Sequence, residues 1–325
     1  MHLKIKYEYD HRLYPPDEIA FRHCSLKRAF DNSSGREVLM IPEHIKPLLQ
    51  YAKNPSQILA NIRRWKSPQV DQFPFIFVLG PPRSGTTLLH RILLNHSKIV
   101  GFSEETGSFS PRSVYDYERF KHFLNKDAHT KALATTSSMA GFFSEFHKLS
   151  LDLPAGGRFV EKTPQHAIYL SYLMSRFPQA QFIFALRDPR DTFCSGFSAG
   201  NIPQARHVEK HARYFQSCVA PLIALHDMYH SRVCMVKYED FTRTPRGEVG
   251  RIMKFLKLSG EEDFQLSRRA VSSDDRAHKA EFQRLARPIT PATVGRWKTE
   301  MSKKQVSVYQ KIAGDSLSYF GYELA

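Results

Sequence analysis

The loop Gly80–Thr87 carries the residues best suited to bind an anion. It follows an apolar run and precedes a helix-like pattern. A glycine-rich turn in that place binds anions through backbone N–H groups and the positive end of the helix dipole. The spacing of its glycines and final threonine matches the phosphate-binding loop G-x-x-x-x-G-K-[ST], but Thr86 stands in the lysine position and Arg83 lies inside the loop. We therefore expect the loop to hold a phosphate-like group without the lysine of nucleoside triphosphatases.

A second anion site is indicated by Arg187 and Ser195. Arg187 comes directly after the apolar run Phe182–Leu186, and Ser195 lies eight residues further on, about two helical turns. An arginine and a hydroxyl at a strand–helix junction can clamp a phosphate. Arg187 alone is more often explained by a structural ion pair, but with the first loop it indicates the second half of a bisphosphate site.

Magnesium-dependent hydrolysis of ATP or GTP is not indicated. That reaction needs the loop lysine and an acidic residue after an apolar strand to hold Mg²⁺. Here the first polar residue after the strand is Arg187, and Asp188 is better explained as a helix N-cap before Pro189. We therefore expect no metal site.

The elements that must position these residues alternate between strands and helices. Apolar runs indicate buried strands, and we expect them at Phe73–Leu79, Lys98–Phe102, Arg158–Lys162, Gln181–Leu186 and Val233–Val236. We expect helices at Thr86–Asn95 and His166–Phe177, after Asp188 and Thr244, and at Ser302–Phe320. This alternation predicts an α/β fold, a P-loop-like parallel sheet flanked by helices on both faces.

Four of the chemically interesting residues stand at or just past predicted strand ends. They are Arg83, Lys162, Arg187 and Tyr238. Ligands of open α/β sheets bind at the carboxyl ends of the strands. We therefore expect these side chains to share one site.

The chain length suits a single domain over residues 1–325, because 325 residues can bury one sizeable core. Residues 1–70 are polar with helical patches, and we expect a helical cap or side layer there. Residues 71–325 are expected to form the α/β core. Residues 259–290, rich in Ser, Asp, Glu and Arg, are expected to form a long surface segment that serves as an active-site lid.

The composition is that of a globular protein with a large positive charge. Charged residues make up 24% of the chain and the formal net charge is +15, which favours anionic partners in general. No run of five or six basic residues and no nucleic-acid recognition motif is present, so we do not expect nucleic acid binding. The charge slightly favours an acidic acceptor or a substrate at a membrane surface.

The lack of a visible secretory signal or membrane anchor favours a cytoplasmic location. The apolar runs are far too short to span a bilayer, and the first residues have neither the apolar segment nor the cleavage site of a secretory signal. The cysteines form no C-x-x-C pair, so we expect reduced, mostly buried thiols at Cys24, Cys194, Cys218 and Cys234.

The two anion motifs together resemble the sulfotransferase family that uses 3′-phosphoadenosine 5′-phosphosulfate (PAPS). The matching segments are P-x-R-S-G-T-T and, later, R-D-P-R-D-x-x-x-S, and the resemblance covers about half of the chain, closest to the bacterial and tyrosylprotein-type branch. It implies the sulfotransferase fold, PAPS as co-substrate and adenosine 3′,5′-bisphosphate (PAP) as product. It also implies that the 5′-phosphosulfate is held by Arg83, Ser84, Gly85, Thr86 and Thr87. The 3′-phosphate would be held by Arg187 and Ser195.

Two shorter segments add to this resemblance. Val236–Asp240 is similar to a late Y-E-D segment of the family whose tyrosine lies near the nucleotide, which implies that role for Tyr238. Val294–Lys298 is similar to a G-[RK]-W segment whose basic residue approaches the 5′-phosphosulfate, which implies that role for Arg296.

The resemblance also implies a catalytic lysine. Lys162, in the segment E-K-T-P, matches a lysine of the tyrosylprotein-type enzymes that stabilises the bridging oxygen. The alternative is a surface lysine before a capped helix, and its strand-end position favours the functional interpretation. Arg83 with a nearby lysine could neutralise charge on the leaving oxygen without Mg²⁺, since sulfuryl transfer has a loose transition state like that of phosphoryl transfer.

A general base must take the proton of the acceptor hydroxyl. The segment Gly101–Thr106 resembles an E-E-T segment in which a glutamate is the base. Alignment on Glu-Thr selects Glu105, which we prefer, whereas strict spacing from Arg83 selects Glu104. Cytosolic small-molecule sulfotransferases use a histidine, and the rival candidates here are His122, His129, His147 and His166.

The sequence thus predicts transfer of a sulfuryl group from PAPS to a hydroxyl of a small molecule, lipid or sugar. A non-catalytic nucleotide- or polyanion-binding protein of the same fold, or a divergent P-loop kinase, stays as the alternative. Acceptor specificity is expected in Ser108–Leu153, Gly200–His230 and residues 259–290, which lack the resemblance. Phe142, Phe143, Phe146, Tyr214 and Phe215 could line an apolar acceptor pocket, although aromatic residues at such spacing are more often core.

Overall fold

The computed structural model describes residues 27–30, 37–40, 55–109, 117–259 and 288–325. The chain divides into two compact units, Met1–Ala60 and Asn61–Ala325. Cys24 and most of the expected lid, residues 260–287, lie outside the described residues. The single domain and its side layer over residues 1–70 stay predictions.

The first unit contains an antiparallel hairpin that the sequence analysis did not predict. β1 (Lys27–Phe30) pairs with β2 (Glu37–Met40), and Lys27 lies opposite Met40. Strands of four residues are too short to show a clear alternation, so the helical patches of residues 1–70 dominated the interpretation. The helix α1 (Pro55–Lys66) begins in this unit.

The second unit is built on a five-stranded sheet in which all neighbouring strands are parallel. Its strands are β3 (Ile76–Leu79), β4 (Ile99–Val100), β5 (Arg158–Lys162), β6 (Gln181–Leu186) and β7 (Val233–Lys237). The order across the sheet is β4-β5-β3-β6-β7, which puts the strand before the glycine-rich loop at the centre. The predicted parallel α/β fold is confirmed.

Helices fill the connections between these strands. Beside the sheet lie α2 (Thr86–Leu93), α3 (Tyr117–Phe120), α4 (Lys126–Thr135), α5 (Met139–Ser150), α6 (Leu170–Arg176), α7 (Pro189–Ala199), α8 (Val208–Tyr229), α9 (Tyr238–Arg243), α10 (Pro245–Leu256), α11 (Trp297–Glu300) and α12 (Lys303–Tyr319). Short 3₁₀ helices occupy Pro164–Tyr169, Pro203–Arg206 and His230–Arg232.

Two of the predicted helices, the one after Asp188 and the one over His166–Phe177, start in different ways. Asp188 caps α7 with its side chain, which accepts the Arg190 N–H at 2.9 Å. Thr163 makes no cap hydrogen bond, and a 3₁₀ helix starts at Pro164 instead of the predicted α-helix. The reason is that the Thr163 hydroxyl is already bonded to the carboxylate of Glu161.

Two apolar layers cover the two faces of the sheet, since successive strand residues point to opposite faces. On β3, Phe77 and Leu79 face one layer, and Ile76 and Val78 face the other. The first layer is largely aromatic and the second largely aliphatic. Both keep the sheet rigid, so residues at the carboxyl ends of its strands have fixed positions.

The aromatic residues considered as pocket lining belong to the core. Phe142, Phe143 and Phe146 are 0% exposed and Phe215 is 1% exposed, while Tyr214 packs against the same layer.

Cys194, Cys218 and Cys234 are buried free thiols. None of the helices in the described ranges combines the length and the apolar character needed to cross a membrane.

Candidate active site

The two glycines of the loop Gly80–Thr87 are required by close contacts. Gly80 has φ 143°, and a Cβ there would lie 2.2 Å from the carbonyl oxygen of Ala185 on β6. Gly85 has φ 92° and precedes α2, and a Cβ there would lie 2.8 Å from the Tyr238 ring. The loop therefore lies close against β6 and the start of α9, which brings the first anion motif towards Tyr238.

Arg83 joins the two predicted anion motifs. Its backbone has φ 73°, a left-handed conformation that is costly for a residue other than glycine and is frequent at functional sites. Its Nε donates a hydrogen bond to Ser195 Oγ at 3.2 Å. Residues that are more than a hundred positions apart in the chain thus meet at one place.

Arg187 is a buried cation in which one of the three guanidinium nitrogens has no partner among the described residues. It is 4% exposed, its Nη1 donates to the Arg83 carbonyl at 3.5 Å, and its Nη2 donates to the Thr293 carbonyl. Its guanidinium lies 4.4 Å from the centre of the Tyr238 ring. Its Nε has no hydrogen-bond partner among the described residues. A guanidinium in this state suits a phosphate oxygen as its missing acceptor.

The loop contributes a second unused donor. The hydroxyl of Ser84 is buried and has no hydrogen-bond partner in the described part of the chain. Buried polar groups are nearly always bonded, so an orphan hydroxyl needs an explanation such as a missing ligand. Ser84 lines a shallow surface hollow together with Gly85, Leu88, Leu89, Val236, Tyr238 and Phe241. Of the other loop residues, Thr86 is buried and Thr87 is half-buried.

Lys162 forms an ion pair with Glu105. The Nζ–Oε1 distance is 2.7 Å, the lysine side chain is 5% exposed and the glutamate side chain is 40% exposed. Of the two candidate bases, Glu105 is therefore the one paired with the candidate lysine, while its neighbour Glu104 is half-buried.

Sequence analysis missed His90 on α2, whose pKa is lowered to about 3 by burial and by the charge of Lys162. His90 is therefore neutral and adds no second positive charge.

A buried network around Glu161 holds the segment that carries Glu105. Glu161 Oε1 accepts hydrogen bonds from the hydroxyls of Thr106, at 2.9 Å, and Thr163, and Oε2 lies 3.2 Å from His166 Nδ1. Burial alone would raise the pKa of Glu161, but the interaction with His166 and the two threonine hydroxyls lowers it to about 2. The Gly107 N–H also donates to Thr163 Oγ1, at 3.1 Å.

Two of the four histidines proposed as rival bases, His166 and His147, have structural partners. The Phe109 N–H donates to Nε2 of His166 at 3.1 Å, so this nitrogen carries no proton and Nδ1–H faces Glu161. His147 Nδ1 lies 2.8 Å from the Phe143 carbonyl, and burial lowers the pKa of His147 to about 4. The other two are His129, which is buried, and His122, which is exposed. Within the described ranges, no group of three or more His, Cys, Asp or Glu residues is arranged to hold a metal ion.

Arg296 lies beside the helix that carries Ser195. Its polar contacts include Glu300, at 2.7 Å, and Ser198 Oγ on α7, at 3.2 Å. Ser198 follows Ser195 by three residues on the same helix. The role of Arg296 at the 5′-phosphosulfate, which the resemblance implied, stays a prediction.

Sequence analysis also missed the role of Asp191. This side chain is 0% exposed and accepts the N–H groups of Gly295, at 2.7 Å, and Trp297, at 3.0 Å. Burial raises the pKa of Asp191, while the two N–H groups and the nearby Arg187 act in the opposite direction. Its position four residues after Arg187 was the one signal available from the sequence.

Comparison with known proteins identifies a matching family model and sequence relatives. The family model described as "Sulfotransferase family" matches residues 74–263, more than half of this chain. Nodulation protein NoeE of Sinorhizobium fredii is 26% identical over 302 aligned residues, covering 79% of this chain and 68% of that protein. A Drosophila melanogaster protein named protein-tyrosine sulfotransferase is 24% identical over 268 residues, covering 78% of this chain. The match covers 52% of the Drosophila protein, so this chain spans about half of its length.

Solved structures share the fold. The sulfotransferase domain of the Synechococcus PCC 7002 olefin synthase matches with a TM-score of 0.55 and 18% identity, covering 80% of this chain and 98% of that domain. The sulfotransferase domain from the curacin biosynthetic pathway matches with a TM-score of 0.56 and 19% identity, covering 78% of this chain and all of that domain. The fold predicted from the sequence is therefore confirmed.

Proposed function

We propose that this chain, which belongs to the sulfotransferase family, transfers the sulfuryl group of PAPS to a hydroxyl of an acceptor. PAP is the second product, and the acceptor is a small molecule, a lipid or a sugar. The proposal covers the nucleotide, the acceptor class and the residue roles.

The observation that carries the proposal is the hydrogen bond between Arg83 Nε and Ser195 Oγ. It joins a loop suited to the 5′ end of a bisphosphate nucleotide to a helix start suited to its 3′ end. The buried donors without partners, Ser84 Oγ and Arg187 Nε, are on these same two motifs. An anion with two phosphate-like groups could accept a hydrogen bond from each of these donors. PAPS has two such groups, so it fits the site better than a ligand with a single phosphate.

The residues that would hold PAPS divide between its two ends. We assign Arg83, Ser84, Gly85, Thr86 and Thr87 to the 5′-phosphosulfate, and Arg187, Ser195 and Tyr238 to the 3′ side of the nucleotide. Arg296 stays a nucleotide ligand in this proposal, now on the side of Ser195 because of its contact with Ser198. Preorganised cations on rigid elements stabilise developing negative charge at little cost in reorganisation.

The bound PAPS supplies the sulfuryl group: its S–O bond to the 5′-phosphate breaks, and a new S–O bond forms to the acceptor oxygen. Lys162 and Arg83 donate to the oxygen that gains negative charge. Glu105 takes the proton of the acceptor hydroxyl, so the carboxylate must first leave its pairing with Lys162. Attraction of Lys162 towards a bound anion would release it, which predicts that the nucleotide binds before the acceptor reacts.

The proposal is tested by ³⁵S-labelled PAPS with a panel of alcohols, phenols, sugars, lipids and a tyrosine-containing peptide. The peptide is included because one relative is named a protein-tyrosine sulfotransferase. We expect label on at least one acceptor class in the presence of EDTA, and far slower labelling with Glu105→Gln. Nucleotide binding without any transfer would favour the non-catalytic alternative, and Mg²⁺-dependent ATP turnover would favour a kinase.

A further inference from the structure

The carboxylate of Asp191 holds one short segment of backbone against α7. Its Oδ2 accepts the Gly295 N–H at 2.7 Å, and its Oδ1 accepts the Trp297 N–H at 3.0 Å. Gly295 has φ 76°, a left-handed conformation that glycine adopts without strain. This turn lets two N–H groups two residues apart reach the same carboxylate. We call residues 293–297 the return strap.

Asp191 is a buried anion beside a proposed anion site. Such a charge repels a bound phosphate, so Asp191 must have a role other than contact with the ligand. Its distance to Arg187 Nη2 is 3.9 Å, longer than either of its hydrogen bonds to the return strap. The negative charge is thus compensated largely by backbone N–H groups. This leaves the Arg187 guanidinium available to a second anion.

The return strap in turn fixes the orientation of Arg187. The Thr293 carbonyl accepts a hydrogen bond from Nη2, and the Thr293 hydroxyl lies 3.1 Å from the Tyr238 hydroxyl. The Tyr238 ring lies under the guanidinium at 4.4 Å. With Nη1 on the Arg83 carbonyl, only Nε stays without a partner among the described residues.

We propose that Asp191 is a positioning residue that selects nucleotides carrying a 3′-phosphate. It anchors the return strap, the strap orients the Arg187 guanidinium, and the guanidinium meets the 3′-phosphate through its remaining donor. The inference rests on the proposed function for the identity of the ligand. The anchoring itself follows from contacts that are independent of any ligand.

The nucleotide part is tested with Asp191→Asn in calorimetric titrations with PAP and with 5′-AMP. The oxygen of the asparagine amide can accept one N–H of the return strap. Its NH₂ group faces the other N–H and cannot accept it, so the return strap loses one of its two hydrogen bonds. We expect PAP binding to weaken by about tenfold or more and 5′-AMP binding to change by less than about twofold. Asp240→Asn is the matched control, because Asp240 is an exposed carboxylate paired with Arg243, and it should change neither. An equal loss for both nucleotides would overturn the proposal.

The anchoring part is tested without nucleotide by the fluorescence of Trp297. The chain has two tryptophans, so a Trp65→Phe background isolates Trp297, whose ring lies 3.6 Å from the Arg190 guanidinium. Asp191→Asn should increase acrylamide quenching and shift the emission to the red, and Asp240→Asn should not. An unchanged emission would overturn the anchoring. Failure of the wild type to bind PAP would reject the proposed function and the nucleotide selection together, while the emission would still decide the anchoring.

Discussion

Lys162 Nζ and Glu105 Oε1 lie 2.7 Å apart, so the candidate catalytic lysine and the candidate base are paired with each other. A carboxylate oxygen bonded to an ammonium group is not free to accept a proton from an acceptor hydroxyl, and the ammonium is less available to a developing oxyanion. The reaction therefore needs a step that separates them. In the proposed mechanism, a nucleotide anion close to Lys162 would provide that step.

Substitution of the two neighbouring glutamates will identify the base. We expect Glu105→Gln to lower the transfer rate by about 10²–10⁴-fold with little change in PAP affinity, as for loss of a general base. Glu104→Gln is the matched control and should retain most of the rate. The larger loss with Glu104→Gln instead would assign the base to Glu104.

Removal of the lysine charge will test its role at the leaving oxygen. Lys162→Met should lower the transfer rate by about 10²–10³-fold, the usual cost of one preorganised donor to a developing oxyanion. The rate is measured at saturating PAPS, so weaker binding does not contribute. Lys298→Met, which removes an exposed lysine paired with Glu323, should leave the rate unchanged. Equal rates for the wild type and Lys162→Met would contradict the assignment.

The guanidinium shape of Arg187 matters beyond its charge. It donates to two carbonyls and lies over the Tyr238 ring, which the ammonium of a lysine cannot reproduce. Arg187→Lys should weaken PAP binding by about tenfold or more in calorimetry. Arg243→Lys, which changes an exposed arginine, should leave PAP binding unchanged. Arg187→Lys should also leave 5′-AMP binding unchanged. A variant that binds PAP normally would place the 3′-phosphate elsewhere.

Gly80 should tolerate no side chain. A Cβ would meet the Ala185 carbonyl oxygen at 2.2 Å in a backbone with φ 143°. We expect Gly80→Ala to lower the free energy of unfolding by about 2–4 kcal/mol and to abolish PAP binding. Gly250→Ala is the control, because Gly250 lies in α10 with no atom near its added Cβ, and it should gain up to about 1 kcal/mol. Urea denaturation of both variants measures the difference, and a stable, PAP-binding Gly80→Ala would refute the close-contact argument.

The Glu161 network should make the protein sensitive to acid. The pKa of Glu161 in the folded protein is about 2, below its ordinary value of 4.5. Its ionisation therefore stabilises the fold above about pH 4.5, and this contribution is lost as the pH falls towards 2. Glu161→Gln should be less stable than the wild type at pH 6, and the difference should shrink at pH 3. Urea midpoints at both pH values check this, and a difference independent of pH would contradict it.

The sequence was sufficient for the sheet and for the two anion motifs because their signals are local. The apolar run before Gly80, the glycine spacing and the strand-end position of Arg187 each depend on residues that are neighbours in the chain. The parallel order of the strands follows from the alternation with helices. These parts were predicted and the fold was confirmed.

Contacts between distant segments could not be predicted in the same way. Asp191 bonds to backbone N–H groups more than a hundred residues later, and a backbone donor leaves no trace in a sequence. Arg296 was assigned from a short motif, but its position depends on how the chain returns along α7. The bond of Glu161 to Thr106 likewise forms only when β5 and the Glu105 segment pack together.

Calorimetric titration of the wild-type protein with PAP tests the proposed bisphosphate site most directly. We expect one site per chain, no effect of EDTA, and affinity about tenfold or more weaker for 5′-AMP, which lacks the 3′-phosphate. No heat at high micromolar PAP, or equal affinity for PAP and 5′-AMP, would contradict a bisphosphate site formed by Arg83, Arg187 and Ser195.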